Sequence, residues 1–102
     1  MFGSKNPMDS KVDTLVGEDS KVNGDLHFVG RCHINGVIKG NVNADPDTNS
    51  ALSISDIASV DGGVSVPYLV LHGVVRGNVI ANQRVELGAT ARVIGNVYYN
   101  LI

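Results

Sequence analysis

The residues with the chemistry of a metal or redox site are few and scattered in this sequence. Cys32 and His33 are adjacent, and His27 and His72 lie elsewhere in the chain. Successive side chains of a strand alternate between its two faces, so Cys32 and His33 would point in opposite directions. A structural zinc site needs four converging ligands. We therefore predict an inward thiol at Cys32, an outward imidazole at His33 and no metal site.

Asp25 and His27 form the best-placed pair for general acid–base catalysis. They are two positions apart, so on a strand they would share the outward face. No nucleophile is placed beside them, and the sequence has no phosphate-binding loop of the GxxxxGKS/T or GxGxxG type. We predict no catalytic residues, no cofactor and a protein that is not an enzyme.

Composition narrows the class of protein further. The 102 residues include 8 basic and 10 acidic side chains and have a formal net charge of −2. The basic residues are scattered and aromatic residues make up 5%, which argues against a nucleic-acid partner. Apolar runs are far shorter than the ~20 residues that span a bilayer, and no signal peptide is recognisable. The single cysteine fits a reducing compartment, so we predict a cytoplasmic protein.

The chain repeats itself at two offsets. Residues 33–44 (HINGVIKGNVNA) superpose on residues 70–81 (VLHGVVRGNVIA), 37 positions later. Residues 17–26 (GEDSKVNGDL) superpose on residues 88–97 (GATARVIGNV), 71 positions later. Both offsets are multiples of a unit of about 18 residues.

A shorter pattern, apolar-x-Gly-x-apolar, recurs seven times. Its alternation is that of a β-strand, and the central glycine suits a tight corner between two short strands. The copies are Val22–Leu26, Ile34–Ile38, Ile38–Val42, Val60–Val64, Leu71–Val75, Val75–Val79 and Val93–Val97. Coils of three short strands and three corners stack into a β-solenoid that buries an apolar column. The predicted inward column is Ile34, Ile38, Val42, Val60, Val64, Leu71, Val75, Val79 and Val93.

Residues 14–102 provide about five such coils. Residues 1–13 have no period and are predicted to be a flexible N-terminal tail. Residues 44–50 (ADPDTNS) are rich in turn residues and are predicted to form a bulged corner. Pro67 cannot donate a ladder hydrogen bond, so we expect it at a corner or at the start of a strand.

The order of these motifs resembles the bactofilins, which are bacterial polymer-forming cytoskeletal proteins. The resemblance covers Thr14 to the last residue and is carried by Gly17–Leu26, by Ile34–Ala44, by Leu52–Val66, by Val70–Ala81 and above all by Arg84–Val97 (RVELGATARVIGNV). It implies an all-β, single-stranded, right-handed parallel β-helix of triangular section, which assembles end to end into filaments without nucleotide. It also implies a short tail that attaches the filament to the inner face of the cytoplasmic membrane, and a role in scaffolding cell-wall enzymes, cell shape or polarity.

A left-handed β-helix is the alternative. Trimeric hexapeptide-repeat acyltransferases also have three-sided coils of about 18 residues, so the spacing does not separate the two folds. Those enzymes place a catalytic histidine at a subunit interface and usually carry a helical cap, and we find neither feature here.

The two ends of a solenoid expose unpaired strand edges, which monomeric solenoids cover with a cap. We find no helical cap in this sequence and therefore predict end-to-end self-association, in either relative orientation. The predicted polymerisation residues are Leu15, Val16 and Val22 at one end and Val97, Tyr99 and Leu101 at the other. A tail folded over one end is the open alternative.

The start of the tail has an aromatic side chain next to a charge. Met1, Phe2 and Lys5 suit shallow insertion into lipid headgroups, and a filament that displays many tails would bind by avidity. The family resemblance favours this membrane-binding role over a plain disordered tail. The predicted partners are thus further copies of the chain, membrane lipid and scaffolded cell-wall enzymes, with no nucleic acid.

Overall fold

The computed structural model describes residues 13–45 and 47–99, and this part of the chain contains strands, turns, bends and irregular connections but no helix. Eleven of the thirteen strands described have only two to four residues, because Gly, Asn and Asp interrupt the Val- and Ile-rich segments every few residues. They are β1 (Thr14–Val16), β2 (Lys21–Asn23), β3 (Leu26–His27), β4 (Arg31–Ile34), β5 (Val37–Lys39), β6 (Val42–Asn43), β7 (Ala51–Ile54), β8 (Ser59–Asp61), β9 (Val64–Leu71), β10 (Val74–Arg76), β11 (Val79–Leu87), β12 (Arg92–Val93) and β13 (Val97–Tyr99).

The strands pair in parallel and form three stacks. The first stack contains β1, β4, β7 and the second halves of β9 and β11. The second stack contains β2, β5, β8, β10 and β12. The third stack contains β3, β6, the first halves of β9 and β11, and β13. The chain therefore winds through about five coils of a β-solenoid, which confirms the predicted all-β solenoid class.

The coils differ in length. Ile38 pairs with Val60, which lies 22 positions later, and Val60 pairs with Val75, which lies 15 positions later. Two coils thus separate Ile38 from Val75, and four coils separate Val22 from Val93. The two sequence offsets, 37 and 71, therefore correspond to two and four coils.

The core is a column of branched aliphatic side chains inside the coils. Eight members of the predicted column are at most 2% exposed, namely Ile34, Ile38, Val42, Val60, Val64, Leu71, Val75 and Val79. The ninth, Val93, is only partly buried because it belongs to the last coil described. Complete burial of one Val, Leu or Ile side chain stabilises the folded state by about 1.5–3 kcal/mol. This column is therefore the main source of stability.

The corner between the first and second stacks alternates between two lengths. In the first, third and fifth coils, a turn is closed by the N–H groups of Ser20, Ala58 and Ala91, which donate to the carbonyl oxygens of Gly17, Ser55 and Gly88. The second and fourth coils have a single glycine there, Gly36 or Gly73. A Cβ at Gly36 would collide with the backbone oxygens of Gly17 and Ser20. The two sequence repeats therefore relate coils that share a corner length: the second to the fourth, and the first to the fifth.

The corner between the second and third stacks holds a glycine in each coil. Gly40 has a φ of 156°, and its Cβ would collide with the carbonyl group of Gly24, one coil earlier. Gly24 also has a positive φ, 125°, but nothing lies within 4 Å of where its Cβ would be. The corner glycines predicted from the short repeat are thus required for two reasons, backbone conformation and close stacking.

Two irregular segments mark the passage from the third stack to the first. Pro67 lies within β9 at the point where the pairing partner changes from β6 to β7, so it is at a coil corner although the strand is continuous. Residues 44–50 connect β6 to β7. Ser50 is fully buried there; its Oγ accepts the Gly30 N–H at 3.0 Å and lies 2.8 Å from Thr48 Oγ1.

Candidate functional site: the two ends of the solenoid

The two ends of the solenoid present strand edges. Within residues 13–45 and 47–99, the strands of the first coil (β1, β2 and β3) pair only toward the second coil. The strands of the last coil (the second half of β11, β12 and β13) pair only toward the fourth. Such edges have backbone N–H and C=O groups with the spacing that another parallel strand requires.

The first coil and the corner after it bury two inward apolar side chains and cover two more in part. Val16 is 7% exposed and Phe28 is 4% exposed, while Val22 and Leu26 are partly buried. Leu15 is exposed and points outward from β1, on the side of the solenoid. Of the three predicted joint residues at this end, only Val22 combines an inward direction with partial exposure.

The last coil leaves its inward apolar side chains more open. Tyr99 pairs with the fully buried Ala81 and Val97 pairs with the fully buried Val79, so both occupy inward positions. Tyr99 is nevertheless 51% exposed and Val97 is only partly buried. Their pairing places both predicted joint residues at the rim of the last coil.

Sequence reasoning missed several apolar side chains of this end. Leu87 pairs with the buried Leu71 and is 54% exposed. Ile80 and Tyr98 are exposed on the outer side of the third stack, and with Ala81, Asn82 and Tyr99 they line an open cleft of about 260 Å³. The signal for Leu87 was present, because it stands two positions after Val85 in an alternating strand that ends at the Gly88 turn.

The scattered candidates for chemistry do not form a site in the described part of the chain. Cys32 is buried and His33 faces outward, as predicted, and burial raises the pKa of the Cys32 thiol to about 11. Asp25 Oδ1 accepts the Asn41 N–H at 2.9 Å, so this carboxylate ties two coils together. Among residues 13–45 and 47–99, no three His, Cys, Asp or Glu side chains are grouped to bind a metal ion.

Four predicted site residues lie outside the described residues. They are Met1, Phe2 and Lys5 of the tail and Leu101 of the C-terminal joint. In the part of the chain that the structure describes, no helix is long and apolar enough to cross a membrane.

Comparison with known proteins adds one finding. Residues 14–102 match a family model described as "Bactofilin: Polymer-forming cytoskeletal". Searches of curated proteins and of solved structures returned no match.

Proposed function

Because the chain belongs to the bactofilin family, we propose that it is a structural protein that assembles end to end into cytoskeletal filaments without nucleotide and catalyses no reaction. The family and the parallel β-solenoid fit a cytoskeletal role. The proposed coil is right-handed and triangular, with about 18 residues on average. The proposed location is the cytoplasm, at the inner face of the cytoplasmic membrane.

One observation supports end-to-end assembly most directly: the last coil repeats the strand pattern of the coils beneath it but exposes its inward side chains. In the fourth coil, Leu71 and Ala81 are fully buried; in the fifth, their partners Leu87 and Tyr99 are half exposed. Stacking another coil on this rim would bury apolar area and pair the strand edges. The same physics that joins coils within the chain would then join one copy to the next.

The proposed joint residues are those predicted from the sequence together with Leu87. They are Leu15, Val16 and Val22 at the first coil, and Leu87, Val97, Tyr99 and Leu101 at the last. Joints between unlike ends would give a polar filament, and joints between like ends a non-polar one. The tail residues Met1, Phe2 and Lys5 are proposed to hold the filament at the membrane, where it would scaffold cell-wall enzymes.

Negative-stain electron microscopy of the purified chain, without added nucleotide, tests this function. We expect unbranched filaments about one solenoid wide. Leu87→Asp should leave short particles, because a charge at the rim opposes stacking. Ile57→Asp is the matched control, since Ile57 has similar exposure but lies in a corner turn of the third coil. It should leave filaments intact.

Discrete particles from the unmodified chain would contradict the proposal. Particles with the mass of a trimer would instead favour the left-handed acyltransferase-like alternative. Equal loss of filaments in both variants would show that the effect of Leu87→Asp is not specific to the rim.

A further inference from the structure

Charges of opposite sign occupy different parts of the solenoid. All six basic residues among those described lie in strands: Lys21, Arg31, Lys39, Arg76, Arg84 and Arg92. Seven of the nine acidic residues described lie outside strands: Asp13, Glu18, Asp19, Asp25, Asp45, Asp47 and Asp56. Taken together, the strands of this protein with a net charge of −2 are therefore net basic, and the segments between them are acidic.

Most of these cations gather on one face, the outward side of the second stack, which we term the basic face. It carries Lys21, Lys39, Arg76 and Arg92, because the residues beside them in the strands (Val22, Ile38, Val75 and Val93) point inward. The four basic side chains are exposed. Asp61 is the one acidic residue in these strands, and its Oδ1 accepts a 2.8 Å hydrogen bond from Arg76 Nη1.

The other two outward faces lack this excess. The first stack has Arg31 and Arg84, but Arg84 Nε lies 3.2 Å from Glu86 Oε2, and Asp13 lies next to Arg31, its Oδ2 accepting a 3.1 Å hydrogen bond from the Arg31 backbone N–H. The third stack has no Lys or Arg in its described strand segments; its outward side chains are His27, Asn43, Ser65, Ile80 and Tyr98. Stacking in register, rather than sequence proximity, thus concentrates the positive charge on one side.

We propose that the basic face binds the anionic headgroups of a lipid bilayer. At about 4.8 Å per coil its four cations span ~19 Å, so a flat bilayer can contact all of them together. Val37 and Val74 stand in the same outward row as Lys21 and Arg92 and lie between them, which suits the headgroup region better than bulk water. A juxtaposed anionic surface attracts Lys and Arg within a Debye length.

The acidic corners favour one orientation. Glu18, Asp19 and Asp56 border the basic face at one corner, and Asp25 borders it at the other. Tilting the solenoid would bring these carboxylates toward the anionic surface, which would repel them. The basic face carries no aromatic side chain in its strands, so it lacks the stacking platform that single-stranded nucleic acid uses.

This inference goes beyond the proposed tail attachment and uses the proposed filament only for multiplicity. An end-to-end joint leaves the outward side of the second stack free, so each copy would present its basic face. Many weak contacts would then bind by avidity.

Vesicle co-sedimentation of the full chain tests the basic face. The probes are vesicles of phosphatidylcholine alone and of phosphatidylcholine with about one third phosphatidylglycerol. The test variant is Lys39→Gln with Arg92→Gln. The matched control is Arg31→Gln with Arg84→Gln, which removes the same charge from the first stack. Both pairs are also made together with Phe2→Asp, so that the tail does not mask the result.

We expect the test variant to lose about 25-fold in partitioning to the anionic vesicles, since each cation contributes about fivefold. The control pair should stay within about threefold of the parent chain, and neutral vesicles should bind none of the proteins well. Equal losses in the two pairs, or no loss in the test pair, would overturn the proposal.

Two further readouts separate this inference from the filament proposal. Electron microscopy of the same samples reports filaments independently, so a non-polymerising chain that still shows the vesicle difference would overturn assembly and support the basic face. Duplex DNA replaces vesicles in a parallel assay. DNA binding that depends on Lys39 and Arg92, with vesicle binding unchanged by their removal, would overturn the lipid assignment in favour of nucleic acid.

Discussion

The first and last coils of this solenoid are built from the same strand pattern but finish the molecule differently. Val16 and Phe28, in the first coil and its following corner, are buried, whereas Leu87 and Tyr99 of the last coil are half exposed. In both coils the corner between the first and second stacks is closed by the same type of turn hydrogen bond. The Ser20 N–H donates to the Gly17 carbonyl oxygen at 2.9 Å, and the Ala91 N–H donates to the Gly88 carbonyl oxygen at 3.1 Å. Local structure is therefore shared, and the difference lies in what covers the inward side chains.

A buried core in a solenoid has two separate requirements. Alternation decides which side chains point inward, but burial requires a neighbouring coil on each side. The middle coils have two neighbours and bury their column almost completely. The first and last coils each have one neighbour among the described residues, but only the last coil has large inward side chains, Leu87 and Tyr99, that are half exposed and available for association.

A charge placed inside the middle coils should cause the largest loss of stability. Val75→Asp should cost on the order of 5 kcal/mol, comparable to the whole stability of a small domain, because an unpaired carboxylate would be buried. Val74→Asp on the outward side of the same strand should cost less than about 1 kcal/mol. Circular dichroism during thermal and urea unfolding measures both. A folded Val75→Asp protein would show that the column is not the main source of stability.

The same substitution at the two ends compares them directly. Val16→Asp should destabilise by about 2–4 kcal/mol because Val16 is buried, while Leu87→Asp should change stability by less than about 1 kcal/mol. Urea unfolding at protein concentrations too low for assembly separates folding from polymerisation. Equal destabilisation at both ends would remove the contrast between the two coils.

The corner glycines of the first and second coils, Gly24 and Gly40, differ in what an added Cβ would meet. Gly24→Ala should cost about 1 kcal/mol, since only its positive φ opposes a side chain. Gly40→Ala should cost about 3 kcal/mol, because the added Cβ also collides with the Gly24 carbonyl group. Thermal unfolding of the two variants side by side gives the difference. A larger loss for Gly24→Ala would indicate that something outside the described residues stacks on the first coil.

Cys32 reports how well the first coil covers the second, since it pairs with Thr14 on one side and Leu52 on the other. Its pKa is raised by burial from 9.0 to about 11. The folded state therefore favours the neutral thiol. The contribution of Cys32 to the free energy of unfolding is fully present below about pH 9, and up to about 2 kcal/mol of it is lost as the pH rises toward about 11.

Cys32→Ala is the control for that titration because other groups ionise in the same range. Unfolding free energies of the parent chain and the variant, measured between neutral pH and about pH 11, should converge or cross as the pH rises. A difference that is independent of pH would mean that the thiol is accessible to water and that the first coil covers it poorly.

Much of the fold was predictable from local residue types. Val and Ile in alternation predicted strands, and the repeat offsets predicted stacked coils, because both depend on short-range geometry. The inward direction of Cys32 and the eight buried column residues followed from the same alternation. Pro67 lies at a coil corner, as expected, but the sequence did not show that β9 continues through this corner, with its two halves pairing in different stacks.

The candidate site was less predictable, because its defining properties arise between segments distant in sequence. Leu71 and Leu87 are both leucines in alternating strands, and only their stacking shows that one is covered and the other is not. The basic face likewise brings Lys21 and Arg92 to the same side from opposite ends of the chain. Alternation and glycine spacing are properties of neighbouring residues and can be read one segment at a time. Coverage and charge clustering depend on register between coils, so they exist only after the chain has stacked on itself.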